Sequence, residues 1–370
     1  MVTGAQSRAV GEPKVTTIIP TYERPVLMKR AVLSVLGQSY SDFVVQILDN
    51  ASTDDTASVA RELMKVDSRV QYYRHKKNIG SLNNMIYGMQ NVTTRYFNIL
   101  CDDDVLLPEF MRDALLVHEQ SNSRLAFVST RVVAVNERGQ FVDKMIHPKE
   151  VCILTPPEGI ARCLKAGVSL PGVVYRTREI SEIGAFRESW WNWTETGWHA
   201  LAAVTSPIGF SPTIGGIFMD HGEGGSKQMG RVEFRLSWFK MFAEVYDKAQ
   251  NCHVSPAWWS RHLRPLAYKK FLGSAVRLCS QDGVETYNEL GRLGLKVGVD
   301  KATVAVTLVV ARMARVLWIG RLVNAILDGC HWIRWTALGV LFQSRRKIDN
   351  DRLDTASRVF CNLNEEVGLS

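Results

Sequence analysis

Apolar and polar positions along the first third of the chain alternate in a way that predicts strands and helices in turn. Val15–Ile19 is a β-branched run stopped at Pro20, which reads as a first strand. Arg24 and Pro25 then open a helix over 26–37, with Leu27, Ala31, Val35 and Leu36 at near-helical spacing. Phe43–Leu48 is a second strand ending in Asp49-Asn50, and the loop Ala51–Thr56, rich in N-cap residues, leads into a helix that ends near Lys65. Val70–Tyr73 is a third strand, followed by the loop Arg74–Gly80 and a helix through Gln90. Tyr96–Leu100 is a fourth, buried strand, and a further helix runs from Phe110 to about Gln120. Such alternation predicts an α/β fold built on a parallel sheet. Leu125–Val135 reads as a later strand that turns at Asn136–Gly139 into a hairpin partner over 140–143. From Arg231 the period becomes helical, over 232–246, 258–279, 284–295 and 301–342.

Each of the first four strands is followed at once by a polar cluster: Pro20–Arg24, Asp49–Asp55, Lys76–Gly80 and Asp102–Asp104. In a parallel sheet those strand ends point the same way, so the four clusters converge on one edge, where open α/β sheets bind ligands. The last cluster is the most telling, because an apolar run ends there in three adjacent carboxylates, Asp102, Asp103 and Asp104. Like charges at this spacing call for a cation among them. Complementing the dipole of the helix that starts near Phe110 is the other account of the same residues. No GxGxxG follows the first strand and no GxxxxGK[ST] occurs, which argues against a dinucleotide-binding domain and a P-loop nucleotidase.

The chain has 370 residues, 46% hydrophobic and 22% charged, enough for two folded units. Its net charge of +8 is uneven. Residues 231–348 hold 19 Lys and Arg against 8 Asp and Glu, so the basic surplus belongs to the helical part and the remainder is mildly acidic. Basic, Trp-bearing helices suit an anionic membrane interface, with a buried helical unit or an oligomer surface as the other account. Thr303–Ala311 is only nine residues long before Arg312, too short for a membrane span. Nucleic acid is not expected, since no recognition motif accompanies the basic residues. The seven cysteines, Cys101, Cys152, Cys163, Cys252, Cys279, Cys330 and Cys361, form no CxxC pair and read as reduced thiols. Residues 1–13 carry no apolar leader and read as a flexible N-terminus, so a cytoplasmic protein is expected.

Together, Thr17–Arg24, Asp49–Thr56, Asn78-Ile79-Gly80 with Asn84, and the acidic triplet resemble the successive blocks of the family 2 glycosyltransferases, over about residues 14–226. The resemblance implies the GT-A fold, a Rossmann-like, mostly parallel sheet flanked by helices. It also implies a nucleoside diphosphate sugar as donor. Pro20, Thr21, Tyr22, Glu23, Asp49, Asn78 and Asp102 would then bind the nucleotide, while Asp103, Asp104 and His221 would hold a divalent cation, Mn²⁺ or Mg²⁺. Carboxylate oxygens suit such hard ions, and the ion would offset charge on the leaving diphosphate. Many relatives carry Asp where Cys101 stands, and a thiol is a poor ligand for these ions. Glu195 matches an acidic position of the family and would be the general base that inverting transfer to a hydroxyl requires. Gly172 lies in a segment where backbone would approach the donor sugar. Trp190, Trp191 and Trp193 read either as an acceptor platform or as core anchors. The glycine-rich stretch 219–226, including His221 and Gly224, reads as a lid.

The expected organisation is therefore a catalytic domain over 14–226, a helical, basic, possible membrane-contacting domain over 227–348, and a polar tail over 349–370. The expected activity is metal-dependent, inverting sugar transfer to a hydroxyl of a glycan or lipid-linked acceptor in cell-surface polysaccharide synthesis, peripheral to the inner face of the membrane. A polyisoprenyl-phosphate sugar synthase and a non-catalytic GT-A-like scaffold are the alternatives.

Overall fold

The computed structural model describes residues 13–136, 140–144, 147–184, 186–220, 231–278, 284–316 and 350–369. β1 (Val15–Thr21) is buried along its whole length and therefore sits centrally in a sheet. It pairs in parallel with β2 (Phe43–Asp49) on one side and β4 (Tyr96–Ile99) on the other, and β3 (Val70–Arg74) lies outside β2. The helices α1 (Pro25–Leu36), α2 (Thr56–Val66) and α3 (Ser81–Gln90) connect these strands. Pro25 opens α1 at the one helical position that needs no backbone N–H partner. This half of the sheet follows the periodicity of the sequence closely.

The other half is mixed. After β5 (Val105–Leu106), α4 (Phe110–Gln120) and β6 (Phe127–Val135) come β7 (Phe141–Lys144), β8 (Cys152–Leu154), α5 (Glu158–Ala166), β9 (Val173–Arg176) and α6 (Thr177–Ser181). The strand order is β3-β2-β1-β4-β9-β6-β10-β5, with β7 on β6 and β8 on β10. β9 runs antiparallel to both β4 and β6. β7 pairs antiparallel with β6, so the hairpin partner forms, although its tip at 137–139 lies outside the described residues.

The sequence pattern does not reveal β10 (Ile208–Met219), a twelve-residue strand in which Ser211-Pro212-Thr213 and Gly215-Gly216 read as breaks. The strand absorbs both as register shifts, between Phe210 and Ile214 and again between Ile214 and Gly216. Irregular positions of this kind are where a sheet tolerates proline and glycine. A Cβ at Gly215 would collide with the Thr130 side chain on β6, so the glycine is a packing requirement.

α7 (Thr194–Thr205) carries the sheet core into a helical region made of α8 (Arg231–Asn251), α9 (Pro256–His262), α10 (Arg264–Leu278), α11 (Val284–Lys296) and α12 (Lys301–Val316). One apolar cluster runs from Ile18 and Phe97 in the sheet through Trp198 and Phe242 to Phe271, Leu290 and Val304. Over 258–279 the pattern predicts a single helix, whereas the chain breaks at Leu263, where Pro265 cannot continue the preceding turn. The expected domain boundary at 226/227 and the apolar stretch beyond Val316 lie outside the described residues. No described helix is long and apolar enough to cross a membrane.

Residues 349–370 are expected as a polar tail, yet Asn350–Val367 forms a helix, α13. Its average composition is polar, but Leu353, Ala356, Phe360 and Leu363 recur at helical spacing and face the sheet. They pack on Val105, Leu107, Val133, Val135, Ile214, Ile217 and Met219, beneath the end of β10. Phe360 is buried. Its replacement by Ala should therefore cost about 3–5 kcal/mol of stability, and Phe360→Leu under about 1.5 kcal/mol. Urea unfolding midpoints of the full chain measure both.

Candidate active site

The carboxyl ends of β1, β2 and β4 meet as the alternating pattern requires, and loops from each supply the site. At the end of β4, Thr21 Oγ1 donates to Asp102 Oδ2 at 2.8 Å. Arg24 Nη1 reaches both Asp102 Oδ1 at 3.2 Å and Asp103 Oδ2 at 3.0 Å. Asp104, 1% exposed, accepts from the Met219 backbone N–H at 3.0 Å, so the last residue of β10 anchors the third carboxylate. From behind, Arg30 Nη2 donates to the Asp103 carbonyl at 2.6 Å, and its Nη1 donates to Asn364 Oδ1 of α13 at 2.8 Å. The guanidinium also lies 5.2 Å from the centroid of the Phe360 ring.

Burial and mutual repulsion set the protonation of this triplet. Burial first, then the charge of Asp103, pushes Asp102 up to about 6. The same two causes, in the same order, hold Asp104 well above the usual carboxylate range. Cys101 Sγ and one oxygen each of Asp103 and Asp104 lie within 4.8 Å of one another. Two carboxylates in a crowded acidic pocket fit a hard divalent ion. Burial pushes the Cys101 thiol up as well, so it stays protonated beside the carboxylates rather than acting as a thiolate ligand.

The loops after β1 and β2 are held in strained conformations and tied to each other. Glu23 has φ 53° and Ala51 φ 67°, left-handed values that non-glycine residues adopt at an energetic cost. The Glu23 N–H donates to Ser52 Oγ at 2.9 Å, and Thr53 Oγ1 donates to Glu23 Oε1 at 2.8 Å. Pro20 is buried beneath them and Tyr22 is exposed. Asp49 has both oxygens engaged, by the Ser52 N–H at 2.8 Å and Tyr72 Oη–H at 2.6 Å, so it braces the loop. Asn78 Oδ1 accepts from Asn50 Nδ2 at 2.9 Å and from the Gly80 N–H, while Asn50 Oδ1 accepts from the Ile79 N–H. The amide network linking Asn50 to Asn78, the Tyr72 brace and buried Arg30 are not evident from the polar clusters. Arg30 leaves one trace, a charge set between Met28 and Ala31 on the buried side of α1.

Glu195 lies in the first turn of α7, within electrostatic range of the triplet. One oxygen accepts from the Leu170 backbone N–H; Oε1 is buried without a hydrogen-bond partner. Burial pushes its carboxyl up to about 8, and it lies close enough to raise both Asp104 and Cys101. Gly172 lies alongside, but its lack of a side chain is demanded internally, since a Cβ would collide with Val132. Trp190 is 1% exposed and is a core anchor, with Arg187 over its ring. Trp193 is half-buried, its Nε1–H on the Phe234 carbonyl and Lys270 Nζ 4.9 Å from its ring centroid. Neither tryptophan stands as an open sugar platform. The Trp191 side chain, His221 and Gly224 lie outside the described residues.

Residues 16–163 match the family described as "Glycosyl transferase family 2". This stretch of the chain belongs to glycosyl transferase family 2. The chain is 31% identical over 134 residues to an "Uncharacterized glycosyltransferase" of Rickettsia felis, covering 36% of this chain and 22% of that protein. It is 34% identical over 96 residues to the "GalNAc(5)-diNAcBac-PP-undecaprenol beta-1,3-glucosyltransferase" of Campylobacter jejuni, 26% of this chain and 31% of that one. The matched stretch thus spans about a fifth to a third of these curated relatives. Among solved structures, S. aureus TarS 1-349 in complex with UDP superposes with a TM-score of 0.64 at 16% identity, covering 85% of this chain and 92% of that one. That likeness is one of fold, and the fold is GT-A, followed by further helices.

The raised carboxyls give the acidic site a definite pH signature. A carboxyl whose folded value lies above its unfolded one keeps a proton that the unfolded chain has already released. Its stabilising contribution is therefore complete below about pH 4 and lost as pH rises through about 6 for Asp102 and about 8 for Glu195. In EDTA, the melting temperature should fall on the order of 5 °C between pH 5 and 8.5. Millimolar Mn²⁺ should restore most of the loss at pH 8.5, and scanning calorimetry with and without the ion checks both effects.

Proposed function

We propose that the protein is an inverting, divalent-cation-dependent glycosyltransferase that moves a sugar from a nucleoside diphosphate to a hydroxyl of a glycan or lipid-linked acceptor. The observation that carries this reading is Glu195, a buried carboxyl with a bare oxygen, within electrostatic range of the acidic triplet whose Asp103 and Asp104 could hold a cation. A base that takes a proton from an attacking hydroxyl works best with a value near the operating pH, and a buried carboxyl near 8 meets that condition.

Asp103 and Asp104 are the residues that would hold Mn²⁺ or Mg²⁺, with Cys101 beside them. When bound, such an ion supplies Lewis-acid stabilisation of the departing diphosphate. The remaining work falls to the chain. Thr21 and Arg24 fix Asp102, and Arg24 also neutralises part of the triplet. The paired loops bearing Glu23 and Ala51 form a preset edge for a base and ribose, with exposed Tyr22 as a stacking surface. Glu195 accepts the hydroxyl proton on Oε1, while its other oxygen stays on the Leu170 N–H and fixes the carboxyl's direction.

For donor and acceptor the relatives offer support. TarS structures contain UDP or UDP-GlcNAc, the C. jejuni relative is named for an undecaprenol-diphosphate-linked glycan, and a B. subtilis relative 26% identical over 139 residues is named for teichuronic acid biosynthesis. We take a uridine diphosphate sugar and a cell-surface glycan, made at the inner face of the membrane, as the working pair. Peripheral attachment is supported by α12, where Val306, Val309, Val310 and Met313 leave an exposed apolar stripe beside Arg312.

UDP should raise the melting temperature in the presence of Mn²⁺ and far less in EDTA, with GDP, dTDP and CMP as comparisons. Asp103→Ala should abolish the Mn²⁺-dependent part. Glu195→Gln should keep that shift yet lower transfer to a hydroxyl acceptor by about 10²–10⁴-fold. Unimpaired transfer by Glu195→Gln would point to a phosphate acceptor, which needs no strong base.

A further inference from the structure

At the end of the sheet opposite the acidic triplet, the structure holds a pocket of about 410 Å³ unrelated to the site above. Its wall includes Arg95, Arg124, Arg176 and Arg178, with Glu179 the one carboxylate. The topology explains the gathering. Arg95 immediately precedes β4, Arg124 lies just before β6, and Arg176 ends β9, which runs antiparallel between those two strands. Three neighbouring strands therefore deliver arginines to one edge. β4 is four residues long, so roughly 13 Å of strand separates this edge from the acidic loop.

The charge here is only partly compensated, with four arginines to one carboxylate. Arg95 and Arg176 each lie 5.4 Å from the centroid of the same buried Tyr96 ring, which brings two guanidinium groups to one support. Arg176 is 11% exposed, and its Nε stands 4.0 Å from Glu179 Oε2, too far for a hydrogen bond. Both atoms are buried without a hydrogen-bond partner. No ion pair is recorded for Arg95, Arg124 or Arg178 among the described residues. Behind Tyr96, at 4.8 Å between ring centroids, His118 is pushed down to about 3, by burial first and then by Arg176 and Arg95. Beneath the pocket the backbone is rigid, with Thr177 Oγ1 on the Thr94 carbonyl and Thr94 Oγ1 on the Tyr96 carbonyl, each at 2.7 Å.

We propose that this pocket binds a phosphate-bearing ligand, remote from the chemical step. Planar guanidinium forks match phosphate oxygens two at a time, and the orphaned Arg176 Nε–H supplies a donor from the inner wall. The volume falls within the range of small-molecule sites, about 300–1,000 Å³, so a phosphorylated headgroup or metabolite fits where a bare ion would leave space. The same chemistry is presented by an anionic phospholipid surface and by a soluble phosphate compound.

Two arms of one experiment separate these sources, using the full chain in EDTA so that no metal recruits phosphate to the acidic triplet. Calorimetric titration with inorganic pyrophosphate should show saturable binding, weakened at least about tenfold in Arg95→Gln/Arg124→Gln. Both side chains are exposed, so the melting temperature should not change. Arg178→Gln repeats the test with a single surface change. Flotation with phosphatidylcholine vesicles, with and without phosphatidylglycerol, is the second arm. Loss of phosphatidylglycerol-dependent flotation in the same variants identifies a lipid headgroup, and its retention identifies a soluble phosphate compound. Absence of pyrophosphate binding to the wild-type chain, or equal binding by wild type and both variants, overturns the proposal.

Discussion

One buried guanidinium organises the acidic edge of the sheet. Arg30 is 2% exposed, and a charge so enclosed persists only where its hydrogen bonds and nearby opposite charges offset the lost hydration. It finds them in the Asp103 carbonyl, the Asn364 amide oxygen and the field of the three aspartates, with Phe360 against its face. Because Nη2 binds a backbone atom, it fixes the path of the acidic loop through the main chain rather than through a carboxylate. Met219 and Thr21 then orient the carboxylates from the two flanking strands. The loop is preorganised by three elements that do not themselves bear its carboxylates.

This arrangement also explains how a site with so much like charge can exist in the folded protein. Asp102 and Asp104 sit well above their ordinary values because burial makes the proton preferable to the charge. Glu195 adds a fourth carboxyl to the same field from another wall. Cys101, where relatives often have a further aspartate, lowers that burden by one charge. Among the residues that could surround a cation it contributes bulk and polarisability at the rim, leaving two carboxylates for the ion.

The first four strands, their crossovers and the convergence of polar clusters are legible in the sequence because each element is local and strongly periodic. The acidic triplet and Glu195 are legible through the family pattern, and the structure brings them within electrostatic range of one another. What escapes are features defined by distance in space. β10 hides behind a proline and two glycines that its bulges accommodate. α13 hides because an amphipathic helix with one apolar residue in three or four averages to polar. Trp190 was ambiguous as an aromatic in a turn, and only its enclosure distinguishes an anchor from a platform. Gly172 reads as a place where backbone approaches a ligand, and the structure adds an internal demand, since a Cβ there would collide with Val132.

The bond from Arg30 to Asn364 spans 334 positions of the chain. Closing a loop of that length has a high entropic cost before any contact rewards it, and such contacts form late. The acidic loop's backbone is therefore supported by a contact that exists only when the two ends of the chain have met. The family match, residues 16–163, also excludes two of the loop's supports, Met219 and Asn364. The unit that shares ancestry is thus smaller than the unit that shapes the site. A boundary drawn by homology would cut through the scaffold that holds the aspartates in place.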